Sequence, residues 1–250
     1  YVSNIIVQGL AKVIKTSLSY FEDEIDLVSI AKYEKLPILE IKLNLIGEDV
    51  KFQPDLMANL QPARPLQPGD GVSCVAASSS LSSDGRLSQG IQLLESWGLT
   101  VHPQALSERY WGYLAGSDQE RRKDLEPKSD TALLACARGG WGAARLLEDK
   151  IAWQRGWLLG FSDVTALLWA RLAAGFAGGV HGPLLTTLAA EPEWSQERLR
   201  KLLFGESIPD LYGRGSGGAK ASGPLIVANP TVAAHLLGTS QHPSFATRIV

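Results

Sequence analysis

From Pro68 onward, short apolar runs alternate with helix-patterned stretches, and this alternation constrains the fold more than any other feature of the chain. Residues 72–76 read as a strand, followed by the Ser78-Ser79-Ser80 loop. Residues 87–97 set Leu87, Ile91, Leu94 and Trp97 on one helical face, and Gly98 supplies the C-terminal cap. Residues 99–101 fit a second strand, and 119–125 a charged helix capped by Asp118. The unbroken apolar run 132–137 suits a strand covered on both faces. After it come a glycine turn, a helix beginning at 143–149, a buried strand at 156–160, and helices at 164–174 and 191–203. Repeated βα units of this kind imply a parallel sheet with helices on both faces, an α/β fold whose ligands sit at the carboxyl ends of the strands.

Composition narrows the function classes. The chain has 250 residues, 24 Lys plus Arg against 26 Asp plus Glu, and 45% apolar residues, enough to bury a core in one large domain or two modest ones. Balanced charge gives no footprint for nucleic acid or an anionic membrane, and the apolar content argues against disorder. The two cysteines, Cys74 and Cys136, lie inside apolar runs, which excludes a disulfide scaffold or a cysteine-rich zinc site. His, Cys and carboxylates do not cluster at metal-ligand spacing, so neither a metal nor a cofactor is expected. No apolar stretch reaches the ~18 residues of a membrane span. The start, Tyr1-Val2-Ser3-Asn4, lacks signal-peptide features, so the expected location is a reducing cytoplasm.

The composition breaks near residue 57. Residues 1–56 hold 6 of the 11 lysines and 8 of the 13 isoleucines but no Arg, Trp or Cys, whereas 57–250 hold all 13 arginines, all 7 tryptophans and 23 of the 25 glycines. The single methionine, Met57, stands at the junction, the pattern expected of an upstream fragment or fusion ahead of a protein that starts there. A natural Lys- and Ile-rich extension is the alternative. Within 1–56, residues 5–19 have helical spacing. Residues 38–46, with the turn Gly47-Glu48-Asp49, read as a hairpin that resembles the stem region of dynein heavy chains. No chemical constellation lies in this segment, although its apolar surface would suit a homodimer contact. The expected organisation is an extension over 1–56, a parallel α/β domain over 57–205, a glycine-rich linker over 206–222 and the opening of a second domain over 223–250.

Two turns carry the candidate chemistry. The first is Arg138-Gly139-Gly140-Trp141-Gly142, directly after a strand. Paired glycines let backbone N–H groups approach a ligand, and a following helix would add positive potential for an anion or oxyanion. Simple chain reversal would also require glycines here. The second is Gly160-Phe161-Ser162-Asp163, where a strand ends and a helix begins within two residues. That is the context in which a nucleophile elbow presents a serine hydroxyl, and the N–H after the serine commonly serves as an oxyanion donor. The second glycine of an elbow is replaced by Val164, and Ser162 or Asp163 would equally suit an N-cap. His102, His181, His235 and His242 are all candidate bases, and spacing singles out none. No phosphate-loop lysine follows the glycine turn, which argues against a nucleotide triphosphatase.

Taken in register, these residues resemble the LD-carboxypeptidase family of serine peptidases, which includes the microcin C immunity peptidases. The resemblance covers about residues 65–250 and none of 1–56. It runs through Pro68-Gly69-Asp70, Val75-Ala76-Ala77-Ser78-Ser79, Leu114-Ala115-Gly116-Ser117-Asp118 with Arg121 and Asp124-Leu125, and the Arg138-Gly139-Gly140 turn with Arg145-Leu146-Leu147. It continues through Gly160-Phe161-Ser162-Asp163, His181-Gly182-Pro183, Gly223-Pro224-Leu225 with Asn229, and Leu237-Gly238-Thr239. The family's Pro in the first serine loop is Ala77 here.

The resemblance implies a Rossmann-like parallel-sheet domain of the class I glutamine-amidotransferase kind, followed by a second α/β domain that here is truncated. It implies that Ser162 is the nucleophile of a Ser-Glu-His triad. The oxyanion donors would be the N–H groups of Asp163 and Gly140, with Gly139 as the alternative. Ser78, Trp141, His181 and Asn229 would contact substrate, a muropeptide losing its terminal D-alanine in cell-wall recycling. The family's Glu and His lie in the second domain, beyond Asn229 and Gly238, so the chain as written is expected to lack both and to be inactive alone. The alternatives are a hydrolase of the microcin C immunity type and a non-catalytic binding module on the same fold.

Overall fold

The computed structural model describes residues 60–102, 104–212, 225–243 and 245. The helix and hairpin expected within 1–56, most of the glycine-rich linker and the closing strand at 248–250 lie outside these residues. Five parallel strands form one sheet: β1 (Gly71–Val75), β2 (Thr100–Val101), β3 (Thr131–Cys136), β4 (Trp157–Gly160) and β5 (Gly179–His181), in the order β2-β1-β3-β4-β5. The helices are α1 (Arg86–Ser96), α2 (Asp118–Lys123), α3 (Thr165–Ala173), α4 (Leu185–Leu188), α5 (Glu193–Phe204) and α6 (Pro230–Leu236). Among the described residues, no helix is long and apolar enough to cross a membrane.

Alternation along the strands sorts the core into two layers. Val72, Cys74, Leu133, Ala135 and Leu159 face one side and pack with Leu94 of α1, Leu185 and Leu188 of α4, and Leu199 and Leu203 of α5. Val75, Leu134, Cys136 and Leu158 face the other and pack with α3, with Leu125 and Leu146, and with Ile226, Ala233 and Leu236 beyond the linker. Both faces being covered explains why the strands read as continuous apolar runs. Cys74 and Cys136 are free and buried. Burial pushes the Cys74 thiol up to about 12, and that of Cys136 upward as well.

Most of the expected elements form within a residue or two of the sequence-derived bounds. The cap of α2, however, is Ser117 rather than Asp118. Its hydroxyl accepts from the Glu120 N–H, while the Glu120 carboxylate accepts from the Ser117 N–H, a capping box in which Asp118 is the first helical residue. The helix expected after the glycine turn is a five-residue 3₁₀ segment, Ala144–Glu148. It is too short and too tight to supply much of a dipole. Val227, α6, His242 and Phe245 pack directly on α3: the Trp169 indole donates to the Val227 carbonyl (3.3 Å), and Trp169 stacks edge-on with His242 and Phe245.

Candidate active site

The strand order reverses between β1 and β3, and in open parallel sheets the crevice beyond the carboxyl ends at such a point receives ligands. The loop after β1 carries Ser78-Ser79-Ser80 and the loop after β3 carries Gly139 to Gly142, so both turns flank this crevice. They are joined directly. The Ser79 N–H donates to the Gly139 carbonyl (3.3 Å), and the Ser79 hydroxyl accepts from the Trp141 N–H (3.2 Å). Gly140, at φ 116°, lies against that hydroxyl, where a β-carbon would come within 2.2 Å of Oγ. Only glycine fits.

Beside this turn stands the elbow after β4. Among the described residues, Ser162 is the one non-glycine residue with positive φ, at 62°. Neither it nor Asp163 caps a helix through its side chain: the 3₁₀ turn Ser162–Val164 and α3 both start without a side-chain cap. An N-cap serine would adopt extended backbone. The left-handed backbone is the strained strand-to-helix turn that lifts a serine side chain out of the sheet. Ser162 remains partly exposed, and a β-carbon placed on Gly139 would lie 3.2 Å from its Cβ and 3.4 Å from its Oγ. The elbow and the glycine bend therefore lie side by side, too close to admit even a methyl group without displacement. No hydrogen bond joins Ser162 Oγ to a histidine or carboxylate among the described residues.

Asp163 is buried, and its carboxylate accepts the Ala143 N–H at 2.9 Å, tying the elbow to the far end of the glycine turn. Burial raises its pKa; the neighbouring Ser78 hydroxyl, the Ala143 N–H and the Arg121 charge pull it back down. Its own N–H opens a helical turn, where backbone donors have no intrahelical partner. Trp141 is exposed at the rim. Ser78 is not at the rim: its side chain is fully buried behind the site, next to Asp163, and Ser79 is the serine that reaches the turn.

His181 ends β5, paired in register with Gly160, and its ring lies 6.3 Å from that of Phe161. It is half-buried, and desolvation lowers its pKa, partly offset by the Val227 backbone. Asn229 reaches the start of α3 by donating its N–H to Thr165 Oγ1 (3.0 Å), while its side-chain oxygen caps α6 by accepting from Thr231 and Val232. The structure thus gathers Ser162, Asp163, the glycine turn, His181 and Asn229 around the carboxyl end of β4. A separate surface cleft lined by Leu147, Lys150, Trp153 and Gln241 includes none of them.

Residues 72–182 match the family model described as the LD-carboxypeptidase N-terminal domain. Residues 72–182 thus form a domain of the LD-carboxypeptidase family. A Synechocystis protein named as a carboxypeptidase is 45% identical over 201 residues, covering 76% of this chain and 65% of its own length. The murein tetrapeptide carboxypeptidase of Pseudomonas aeruginosa is 33% identical over 194 residues, covering 69% and 62%. The chain thus spans a little less than two thirds of each of these curated relatives. In structure, the microcin C7 self-immunity protein superposes with TM-score 0.62 at 19% identity, over 74% of this chain and 68% of that one, which shows the shared α/β fold. A different likeness involves 56 residues, 22% of the chain, which are 38% identical to 1% of the dynein beta chain of the Chlamydomonas reinhardtii flagellar outer arm.

Within the LD-carboxypeptidase domain, several polar residues act behind the turns. Arg121 is fully buried and donates to the Ala77 and Gly142 carbonyls and to Asp118. Asp124 accepts the Ala76 N–H (3.0 Å) and both contacts from Arg109 Nη1. Sequence reading noted Arg121 and Asp124 only as motif residues. Charged side chains in a short polar helix look solvent-facing until the sheet beneath them is known.

Proposed function

We propose that this chain carries the nucleophile and oxyanion donors of a serine carboxypeptidase that removes the terminal D-alanine from murein tetrapeptides. The observation that carries this reading is the left-handed backbone of Ser162, which sets its side chain beside Gly139 of the glycine bend. Attack by Ser162 Oγ on the amide carbonyl would develop negative charge on the carbonyl oxygen. The Gly139 carbonyl is turned toward the Ser79 N–H, and a trans peptide points its N–H the opposite way, so the Gly140 N–H faces away from Ser79. That N–H and the N–H of Asp163 would take the oxyanion. A serine hydroxyl requires a base, and the family resemblance assigns that task to a Glu-oriented histidine of the second domain. The name of the Pseudomonas aeruginosa relative supports the substrate class. Full-length protein carrying the second domain, purified and supplied with murein tetrapeptide, should release D-alanine, and Ser162→Ala in it should lower the rate ~10⁴-fold or more. Equal release by both proteins, or none by either, would overturn the assignment.

A further inference from the structure

Two fully buried arginines hold the sheet from opposite ends. Arg171, on α3, donates to the carbonyls of Gln154, Gly156 and Ala177, all preceding β4 or β5 and so at the amino ends of the strands. Arg121, on α2, donates to the carbonyls of Ala77 and Gly142 and to the carboxylate of Asp118, at the carboxyl ends. Ala77 follows β1 and leads into the Ser78-Ser79-Ser80 loop; Gly142 closes the glycine turn after β3. Asp118 is itself held by Arg145, just beyond that turn, at 2.7 Å. The turn also rests on the guanidinium directly. A β-carbon on Gly142, at φ 109°, would lie 2.8 Å from Arg121 Nη1 and 2.4 Å from Leu114 Cδ2.

We propose that Arg121 is the positioning residue of the active site: its buried guanidinium fixes the glycine turn, and with it the Gly140 N–H, at the distance from Ser162 that oxyanion stabilisation requires. This rests on the serine-peptidase reading above. Arg121 does not touch the substrate position. It acts through the carbonyls it holds and through Asp163, at whose carboxylate its charge is felt. Stability alone is a poor reason for such a group, because a buried cation rarely repays its desolvation, and the Arg121 Nε remains buried without a hydrogen-bond partner. One guanidinium nitrogen, Nη1, donates to both the Ala77 and the Gly142 carbonyls, while Nη2 is held by the Asp118 carboxylate; a lysine ammonium lacks the second, rigidly placed prong that keeps Nη1 between the two loops.

The test compares the two arginines in the full protein, reading kcat, KM and the thermal unfolding midpoint. Arg121→Lys and Arg121→Met should lower kcat by about tenfold or more, in the range of a displaced oxyanion donor, with KM within about twofold. Arg171→Lys should keep kcat within about twofold even where its unfolding midpoint falls as far. Should Arg121→Met fail to fold, Asp118→Asn keeps the guanidinium but removes its orienting carboxylate, and should show a smaller loss in kcat with KM unchanged. Folded Arg121 variants with wild-type kcat, or an equal kcat loss in Arg171→Lys, would overturn the proposal. A Ser162→Ala variant as active as wild type would instead overturn the peptidase reading beneath it.

Discussion

At Ser162 backbone strain and chemistry coincide. A β-carbon in the left-handed region costs about 1–2 kcal/mol, a cost that the rest of the fold sustains. Glycine relieves this, at the expense of a more flexible unfolded chain. Ser162→Gly should therefore raise the free energy of unfolding in urea by up to ~1 kcal/mol. Ser162→Thr, whose branched Cβ tolerates the same backbone less well, should lower it by about 1 kcal/mol or more. Both should lose D-alanine release, one while gaining stability and the other while losing it. Stabilisation by loss of the hydroxyl is what a strained functional residue predicts, and a helix-capping serine predicts the reverse. Taken alone, this stretch of sequence favours the helix cap over the elbow, because Ser followed by Asp at a helix start is what helices prefer there. Only the sign of φ separates them.

Among the elements, the strands were legible because both sheet faces are covered, and unbroken apolar runs such as 132–137 have few other uses. Less legible was whatever depended on pairing between distant segments. The short strand β5 contains Val180 and His181 behind two glycines, with no apolar run to mark it; its register with Leu158, Leu159 and Gly160 defines it. The capping box of α2 was missed because Ser117 and Asp118 are both good caps. Gly90 shows how tertiary packing overrides local propensity. It lies in the interior of α1, where Ala would ordinarily be favoured by about 0.5–1 kcal/mol. A β-carbon there would come within 2.0 Å of the Leu185 carbonyl oxygen of α4. Backbone cannot yield as a side-chain tip can, so Gly90→Ala should destabilise the protein by about 1–3 kcal/mol despite its helix propensity. Thermal unfolding with unchanged or raised midpoint would mean that α1 and α4 are not so closely packed.

Across the molecule, ionisation of the carboxylates contributes to stability with opposite signs. Asp118 has its pKa lowered, chiefly by its hydrogen bond to Arg145 and further by Arg121. A lowered native pKa gives stability that is present above the ordinary carboxylate range and is lost as pH falls through the native value. Asp70, held down by Arg64, has the same sign. Asp163 runs the other way: burial raises its native pKa, so the folded state holds its proton more tightly than the unfolded state. Its contribution favours folding below the ordinary carboxylate pKa of about 3.9 and is lost as pH rises through the raised value. Above the ordinary carboxylate range Asp163 therefore lowers the stability of the folded state, through the burial of its carboxyl beside Ser162. Asparagine keeps the oxygen that accepts from Ala143 and can donate its amide to the Ser78 hydroxyl, without the charge. Asp163→Asn should then be more stable than wild type at pH 7 in urea unfolding, and the difference should shrink steadily as the buffer is acidified toward pH ~4. A constant difference across that range would show that packing rather than ionisation sets it. A variant less stable than wild type at pH 7 would show that the charged carboxylate, held by Ala143 and Arg121, repays its own burial.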